Sequence, residues 1–406
     1  MKVVRLLLLA LFLTGLGLVT VRQVAAKDEW TQVRSKNFFL IGNASEKDIR
    51  KVGTRLEQFR ESFRLLFNNT NLASPIPTNV VVFKSDSSYK NFKPKRADGK
   101  IDTFIAGYFQ PGEDVNYITL STEGEDARTY ETIFHEYVHF IVDTNFGKSE
   151  VPAWFNEGLA EYYSTFEIED NQKLKLGLPQ NNHLDLLQQN KLMPLDQLFG
   201  VSNYQLHQTG SHSRSIFYAQ SWALIHYLMQ NGKSDGLGRF LGFLLKNVPA
   251  DKAFQDAFQT NYNNMESELR KYVGKSSFQY NIFTLSKKMT FDADMQVSPL
   301  TEAASNAYLG DLLYHNNRAD DAEPYLIKSL NLDATASMAN TALGMVKIKQ
   351  RKFDEAKTFL EKAIAVDQKN HNAFYQYAYL LSREGRDEFG FVQRFDQANA
   401  AKMREA

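Results

Sequence analysis

The chain has 406 residues, of which 43% are hydrophobic and 13% aromatic, enough for two or three domains with sizeable cores. Lysine plus arginine and aspartate plus glutamate balance at 47 each, so no nucleic-acid partner or anionic membrane surface is indicated. The chain contains no cysteine, which excludes disulfides, thiolate metal sites and cysteine nucleophiles and leaves histidine and carboxylates as the strong metal ligands.

The first 26 residues have the pattern of a secretory signal. Lys2 and Arg5 precede an apolar run from Leu6 to Val21, and small residues follow up to Ala26. We predict cleavage after Ala26. The run is also close to the length of a membrane span, so a retained anchor is the alternative and the one route to membrane contact. In both cases the rest of the chain is expected outside the cytoplasm, either periplasmic or secreted.

Residues 27–121 are predicted to form a small α/β unit, with a helix packed on a sheet. A strand is predicted over 38–44, and Ser45 can then cap a helix whose apolar residues recur at three- and four-residue spacing. A second strand is predicted over 79–84. A hairpin that turns at 111–114 completes the unit.

Residues 122–275 are predicted to be mainly helical. One helix begins near Thr129, a second spans Pro152–Phe166 with proline in its first turn, and later ones cover 216–230 and 237–246. The stretch 167–213 between them is looser and more polar. Its histidines are interpreted as surface residues: His183, His207 and His212.

Residues 276–300 are predicted to be a linker, and 301–406 an all-α repeat domain. Gly310, Gly344 and Ala378 are 34 residues apart, and several other positions align at the same interval. This period and the sequences around it resemble tetratricopeptide (TPR) repeats. The resemblance implies a solenoid whose groove binds a protein partner or substrate. Most of the aligned positions pack helices together, so they do not identify that partner.

The stretch His135-Glu-Tyr-Val-His139 places two histidines on one helix face, about 6 Å apart. Two imidazoles there can converge on one zinc ion. Glu136 leans over the same face without being a third ligand, and it is placed to take a proton from a metal-bound water. The alternative is two ordinary histidines at a helix surface.

A third ligand is available in "VPAWFNEGLAEYYS", which supplies Glu157 after 17 intervening residues. That gap is long enough for the first helix to end and a second to return antiparallel. Gly158 costs about 1 kcal/mol inside a helix, and close packing of these two helices would explain it. Glu161, one turn later, could hold the free ring nitrogen of a ligating histidine. It could equally be a surface carboxylate.

The pair "HEYVH" and "WFNEGLAEYY" resembles the gluzincin metallopeptidases, such as thermolysin and aminopeptidase N. It is closer still to extracytoplasmic peptidase-MA-like proteins, many of which are described only as domains of unknown function. The resemblance covers roughly 30–270, with its specific motifs in 131–165. It implies zinc bound by His135, His139 and Glu157, with Glu136 as the general base.

In the aminopeptidase-like enzymes a tyrosine about sixty residues after the glutamate ligand donates a hydrogen bond to the oxyanion. Tyr218 lies at 61 residues, and a phenol near the metal could stabilise a tetrahedral intermediate. The alternative is a core aromatic. His226, two turns later, is interpreted as structural.

The Gly-x-Met-Glu-Asn stretch of aminopeptidase N, which captures a free amine, is missing; the equivalent region reads "AGYFQPGEDVNYITLS". An endopeptidase is therefore favoured, and the strand Asn116–Leu120 is expected at an exposed sheet edge that could pair with substrate. The predicted fold class is α+β. The sheet unit and helical zinc-binding half form a thermolysin- or gluzincin-like domain over 27–275, followed by the TPR solenoid. The alternative function is a non-catalytic TPR scaffold with a structural metal site.

Overall fold

The computed structural model describes residues 29–384, apart from 68–70, 74–75, 97, 104, 125–126, 147–150, 203–204 and 206–210. The predicted signal segment and His207 lie outside the described residues, as does the side chain of His212. Among the helices described, none is long and apolar enough to cross a membrane.

The strands that the structure describes form two sheets. They are β1 (Trp30–Arg34), β2 (Phe39–Gly42), β3 (Thr78–Phe83), β4 (Gly107–Gln110), β5 (Asn116–Ser121), β6 (Glu167–Glu169), β7 (Lys173–Leu176), β8 (Asn281–Thr284) and β9 (Gln296–Leu300). The larger sheet has the order β4-β5-β3-β2-β1-β9, and the smaller has the order β6-β7-β8.

The first ten α-helices described lie before the repeats. They are α1 (Glu46–Leu66), α2 (Asp86–Tyr89), α3 (Ala127–Phe146), α4 (Ala153–Ser164), α5 (Asn181–Gln189), α6 (Leu195–Gly200), α7 (Ser211–Gln230), α8 (Ser234–Leu244), α9 (Ala250–Phe258) and α10 (Tyr262–Val273). The repeat helices are α11 (Glu302–His315), α12 (Ala319–Leu332), α13 (Ser337–Lys349), α14 (Phe353–Val366) and α15 (His371–Glu384).

Helix α1 forms as the sequence predicts. The side chain of Ser45 accepts a hydrogen bond from the backbone N–H of Asp48, which satisfies one of the free donors at the helix start. The predicted apolar face is buried against the sheet and α3. The ring of Phe59 stacks on that of Phe134, with ring centroids 4.0 Å apart, and so helps to fix the position of α3.

The hairpin prediction is confirmed, but its strand order differs from the expectation. Strands β4 and β5 pair antiparallel, while β5 also pairs in parallel with β3. The strand Asn116–Leu120 therefore lies inside the sheet, and all six residues of β5 are buried. The edge strand beside α3 is β4. The hairpin's second strand pairs with β3, and this leaves the first strand outermost.

The predicted linker is instead integrated into both sheets. Strand β8 pairs antiparallel with β7, and β9 pairs antiparallel with β1 along five residues. The strands of each pair are more than a hundred residues apart in sequence. Strand β8 is also largely exposed. A short strand that pairs only with such distant segments has little local periodicity in its sequence, so it is hard to predict.

The TPR prediction is confirmed by paired helices with a regular glycine contact. A Cβ atom on Gly310 would lie 2.6 Å from the side chain of Leu326, and one on Gly344 would lie 2.7 Å from that of Leu360. Each glycine thus permits the close approach of the two helices of its repeat, which explains the 34-residue interval.

The repeats are not a separate body, because α11 packs on the sheet face opposite α1. Alternate strand residues divide between the two faces. Leu40, Val80 and Ile118 join the core under α1 and α3. Their neighbours Ile41, Val81 and Tyr117 share a second core with residues of α11 to α13. The larger sheet is therefore covered on both faces.

Candidate metal centre

Helix α3 brings the two motif histidines together as predicted. Its apolar side chains, including Ile133, Phe134 and Val138, are buried in the core, and the two histidines lie on another face of the helix. On that face the Nε2 atoms of His135 and His139 lie 3.1 Å apart.

Glu157 of α4 completes the group. Its Oε2 atom lies 3.4 Å from Nε2 of His135 and 3.4 Å from Nε2 of His139. Ligand atoms about 2.0–2.1 Å from one tetrahedral zinc ion would be separated from each other by about 3.3–3.4 Å. The three side chains therefore match the spacing of a zinc site.

The burial of Glu157 gives a second indication of fit. Its Oε2 atom is buried, faces two imidazole nitrogens and has no hydrogen-bond partner in acceptable geometry. A buried carboxylate oxygen without a partner is costly. A cation at the centre of this triangle would satisfy it, so the residues present fit a bound zinc ion.

Electrostatics in the metal-free centre follow from the same contacts. Burial alone would lower the pKa of His139, but Glu157 outweighs it, and with help from Asn156 and Glu136 the pKa rises to about 9. Burial alone would raise the pKa of Glu157, yet the two histidines lower it to about 2. His139 thus holds a proton near neutral pH, and a metal ion that binds its Nε2 atom must displace that proton.

Gly158 is needed for packing, but not between the two helices that the sequence suggested. A Cβ atom there would lie 2.6 Å from Cγ1 of Ile225 and 2.6 Å from the carbonyl oxygen of Ser221, both on α7. The glycine therefore lets α4 approach α7 rather than α3. Helix α7 supports α4 from the side of Gly158, while the neighbouring Glu157 is directed at α3.

Glu161 lies behind the centre and is held in place by two side chains. Its Oε1 atom is 3.6 Å from Nδ1 of His135, a contact longer than a hydrogen bond. Its Oε2 atom accepts hydrogen bonds from Nε2 of Gln180 at 3.0 Å and from Nε2 of His183 at 3.1 Å. Burial would raise the pKa of Glu161, but His183 and His135 lower it.

Two supporting residues are missed by the sequence interpretation. His183, expected at the surface, lies on α5 and bonds Glu161. Asn156, directly before Glu157, accepts a hydrogen bond from Nδ1 of His139 at 2.9 Å, which leaves Nε2 of a neutral His139 free to bind a metal. Its position beside Glu157 was an available signal. No local pattern marks His183.

The remaining predicted residues lie on α3 and α7. Glu136 is half-buried on α3, and its charge acts on His139. Tyr218 is half-buried on α7, one turn before the carbonyl of Ser221 that meets α4. The described contacts do not assign it a role, so its function as an oxyanion donor stays a prediction.

His226 is structural, as predicted. It is fully buried, and its Nε2 atom lies 2.8 Å from the carbonyl oxygen of Gly177. That oxygen can only accept, so Nε2 carries the hydrogen and Nδ1 accepts from the hydroxyl of Tyr272 at 2.6 Å. Burial lowers the pKa of His226 to about 4.

Two parts of the chain match family models. Residues 129–251 match the model described as "Protein of unknown function (DUF1570)", and residues 339–370 match the model described as "Tetratricopeptide repeat". The first match spans α3, α4 and α7 and so contains all three candidate ligands. No curated protein matches the chain.

Proposed function

We propose that this chain is an extracytoplasmic, zinc-dependent endopeptidase of the gluzincin type. The observation that carries the proposal is the triangle formed by His135, His139 and Glu157, with separations of 3.1, 3.4 and 3.4 Å and a buried carboxylate oxygen that has no other partner. A glutamate outside the triangle, Glu136, stands next to one of its corners.

The residues divide the chemistry between them. When bound, zinc would act as a Lewis acid that polarises a peptide carbonyl and lowers the pKa of water. Glu136 would accept the proton of the attacking water and pass it to the leaving nitrogen. Tyr218 would donate a hydrogen bond to the developing oxyanion, and Glu161 would orient the ring of His135.

The larger sheet provides a surface for a peptide. Strand β4 is at its edge and lies against α3, where the ring of Phe109 is 5.9 Å from that of Phe140. An edge strand offers backbone N–H and C=O groups to an extended chain. We therefore assign substrate pairing to β4, in place of the interior strand that the sequence suggested.

The test compares wild-type protein with Glu136→Gln for zinc content and for cleavage of casein and a peptide library. We expect about one zinc per chain in both proteins, and a loss of hydrolysis of at least about a hundredfold in the variant. Asp143→Asn, an exposed carboxylate on the same helix, is the matched control and should retain activity.

The alternative is a TPR scaffold with a structural metal site, and the repeat helices favour it enough to be tested. A wild-type protein that binds zinc but cleaves no peptide would support the scaffold. A protein without stoichiometric metal would overturn both. Against the scaffold, a structural site needs neither an open coordination position nor a carboxylate beside its ligands.

A further inference from the structure

The turn between β4 and β5 is held by the repeat helices. The Oδ1 atom of Asp114 accepts a hydrogen bond from Nε2 of His315 at 2.9 Å, and Oδ2 accepts one from Nδ2 of Asn372 at 2.6 Å. That same Nδ2 atom lies 3.7 Å from the sulfur of Met345. The first helices of successive repeats, α11, α13 and α15, thus meet around one carboxylate.

The contact is charged and specific. Nδ1 of His315 lies 2.8 Å from the carbonyl oxygen of Asp311, while Nε2 faces the carboxylate of Asp114. Both partners can only accept, so both ring nitrogens carry hydrogen and His315 is cationic. The hydroxyl of Tyr117 on β5 donates to the carboxylate of Asp311, which ties the strand to the same helix.

The turn itself has little freedom to adapt. A Cβ atom on Gly112 would lie 2.1 Å from the carbonyl oxygen of Val115, so the chain is tightly folded there. The N–H of Gly112 also donates to the side chain of Asn116 at 3.1 Å. A rigid turn transmits the position of Asp114 to the strands on both sides.

At its other end the hairpin contacts α3, the helix that carries the two candidate histidine ligands. A Cβ atom on Gly107 of β4 would lie 3.2 Å from Cγ2 of Thr129 on α3. The ring of Phe109 lies 6.1 Å from that of Tyr137, the residue after Glu136. The hairpin is therefore in contact with the repeats at its turn and with α3 along β4.

We propose that His315 and Asn372 are positioning residues. By holding Asp114, they fix the edge strand β4 beside α3. The first helices of the repeats thus make contacts within the chain in this region. The effect on substrate rests on the proposed peptidase function, because it requires that β4 pairs with a peptide. The effect on the position of β4 does not depend on the proposed peptidase function.

Hydrogen exchange of the full-length protein tests the proposal without any activity. His315→Gln and Asn372→Ala should speed amide exchange over 105–121 by about tenfold or more, since local opening becomes easier. Lys347→Gln is the control. Lys347 is buried inside the repeats and pairs with Glu323 and Glu355, so its loss should loosen the repeats while leaving β4 protected.

The outcomes separate the two ideas. The positioning role is overturned if amide exchange over 105–121 is unchanged in both His315→Gln and Asn372→Ala. It is also overturned if Lys347→Gln raises that exchange equally. If His315→Gln does not fold, the milder Asn372→Ala decides. With an active wild type, we expect KM for peptide to rise while kcat and zinc affinity stay near wild type. A wild type that cleaves nothing counts against the peptidase alone, and the exchange result still stands.

Discussion

Replacing Gly158 by alanine tests whether the third ligand depends on the close approach of α4 to α7. The added Cβ atom would lie 2.6 Å from Cγ1 of Ile225 and from the carbonyl oxygen of Ser221. Contacts between such atoms are normally about 3.5–4.0 Å. Ile225 is fully buried and β-branched, so its side chain has little freedom to rotate away. The carbonyl belongs to the helix backbone, so the two helices must separate.

The expected cost is the difference between two effects. An extra methyl group in a packed core costs about 1–3 kcal/mol, while alanine gains about 1 kcal/mol over glycine within a helix. We expect the free energy of unfolding to fall by up to about 2 kcal/mol. Zinc binding should weaken as well, because Glu157 moves with α4 away from the two histidines.

The assay is urea unfolding of the metal-free full-length protein, followed by zinc titration against a competing chelator. Gly238→Ala is the matched control, since Gly238 lies inside α8 and an added Cβ atom would meet nothing within 4 Å. That control should gain up to about 1 kcal/mol. A Gly158→Ala protein that gains stability as the control does, with unchanged zinc affinity, would refute the packing argument.

Two further predictions concern the metal centre and the contact between sheet and repeats. Glu157→Gln should lower zinc affinity by more than the roughly 10–100-fold expected for Glu161→Gln; equal affinities in a chelator competition would contradict the assignment of Glu157 as a ligand. Burial lowers the pKa of His315, but Asp311 and Asp114 raise it from 6.5 to about 9, so its stabilising contribution is complete below pH 6.5 and is lost as the pH rises through 9. We expect unfolding free energy to fall by up to about 3 kcal/mol over that window, and a His315→Gln protein with the same pH profile as wild type would contradict this.

The features that were predicted correctly depend on residues close together in sequence. The apolar face of α1 and its Ser45 cap, the two histidines one turn apart on α3, and the 34-residue interval of the repeats all follow from helix geometry. A helix places residues i and i+4 on one face whatever the rest of the chain does. The two histidine ligands could therefore be named before any tertiary contact was known, whereas Glu157 was named from the following segment and its resemblance to metallopeptidases.

The sheet was harder to predict, because strands acquire partners only in the folded chain. Strand β5 is interior since it pairs with β3, and the predicted linker contains β8 and β9 since they pair with β7 and β1. Strand pairing joins residues far apart in sequence, and short strands carry a weak periodic signal. The sequence analysis therefore expected β5 at the edge of the sheet, where the structure has β4.

The amino-acid sequence by itself determined the helical repeats and the residue types that can bind zinc, because both depend on local periodicity. Tertiary structure decided which nitrogen and oxygen atoms converge. It also decided that His183 and Asn156 support them, that Gly158 faces α7, and that Asp114 joins the sheet to the repeats. Each of these contacts spans separate elements, and only the packing of buried faces against one another brings their side chains within hydrogen-bonding distance.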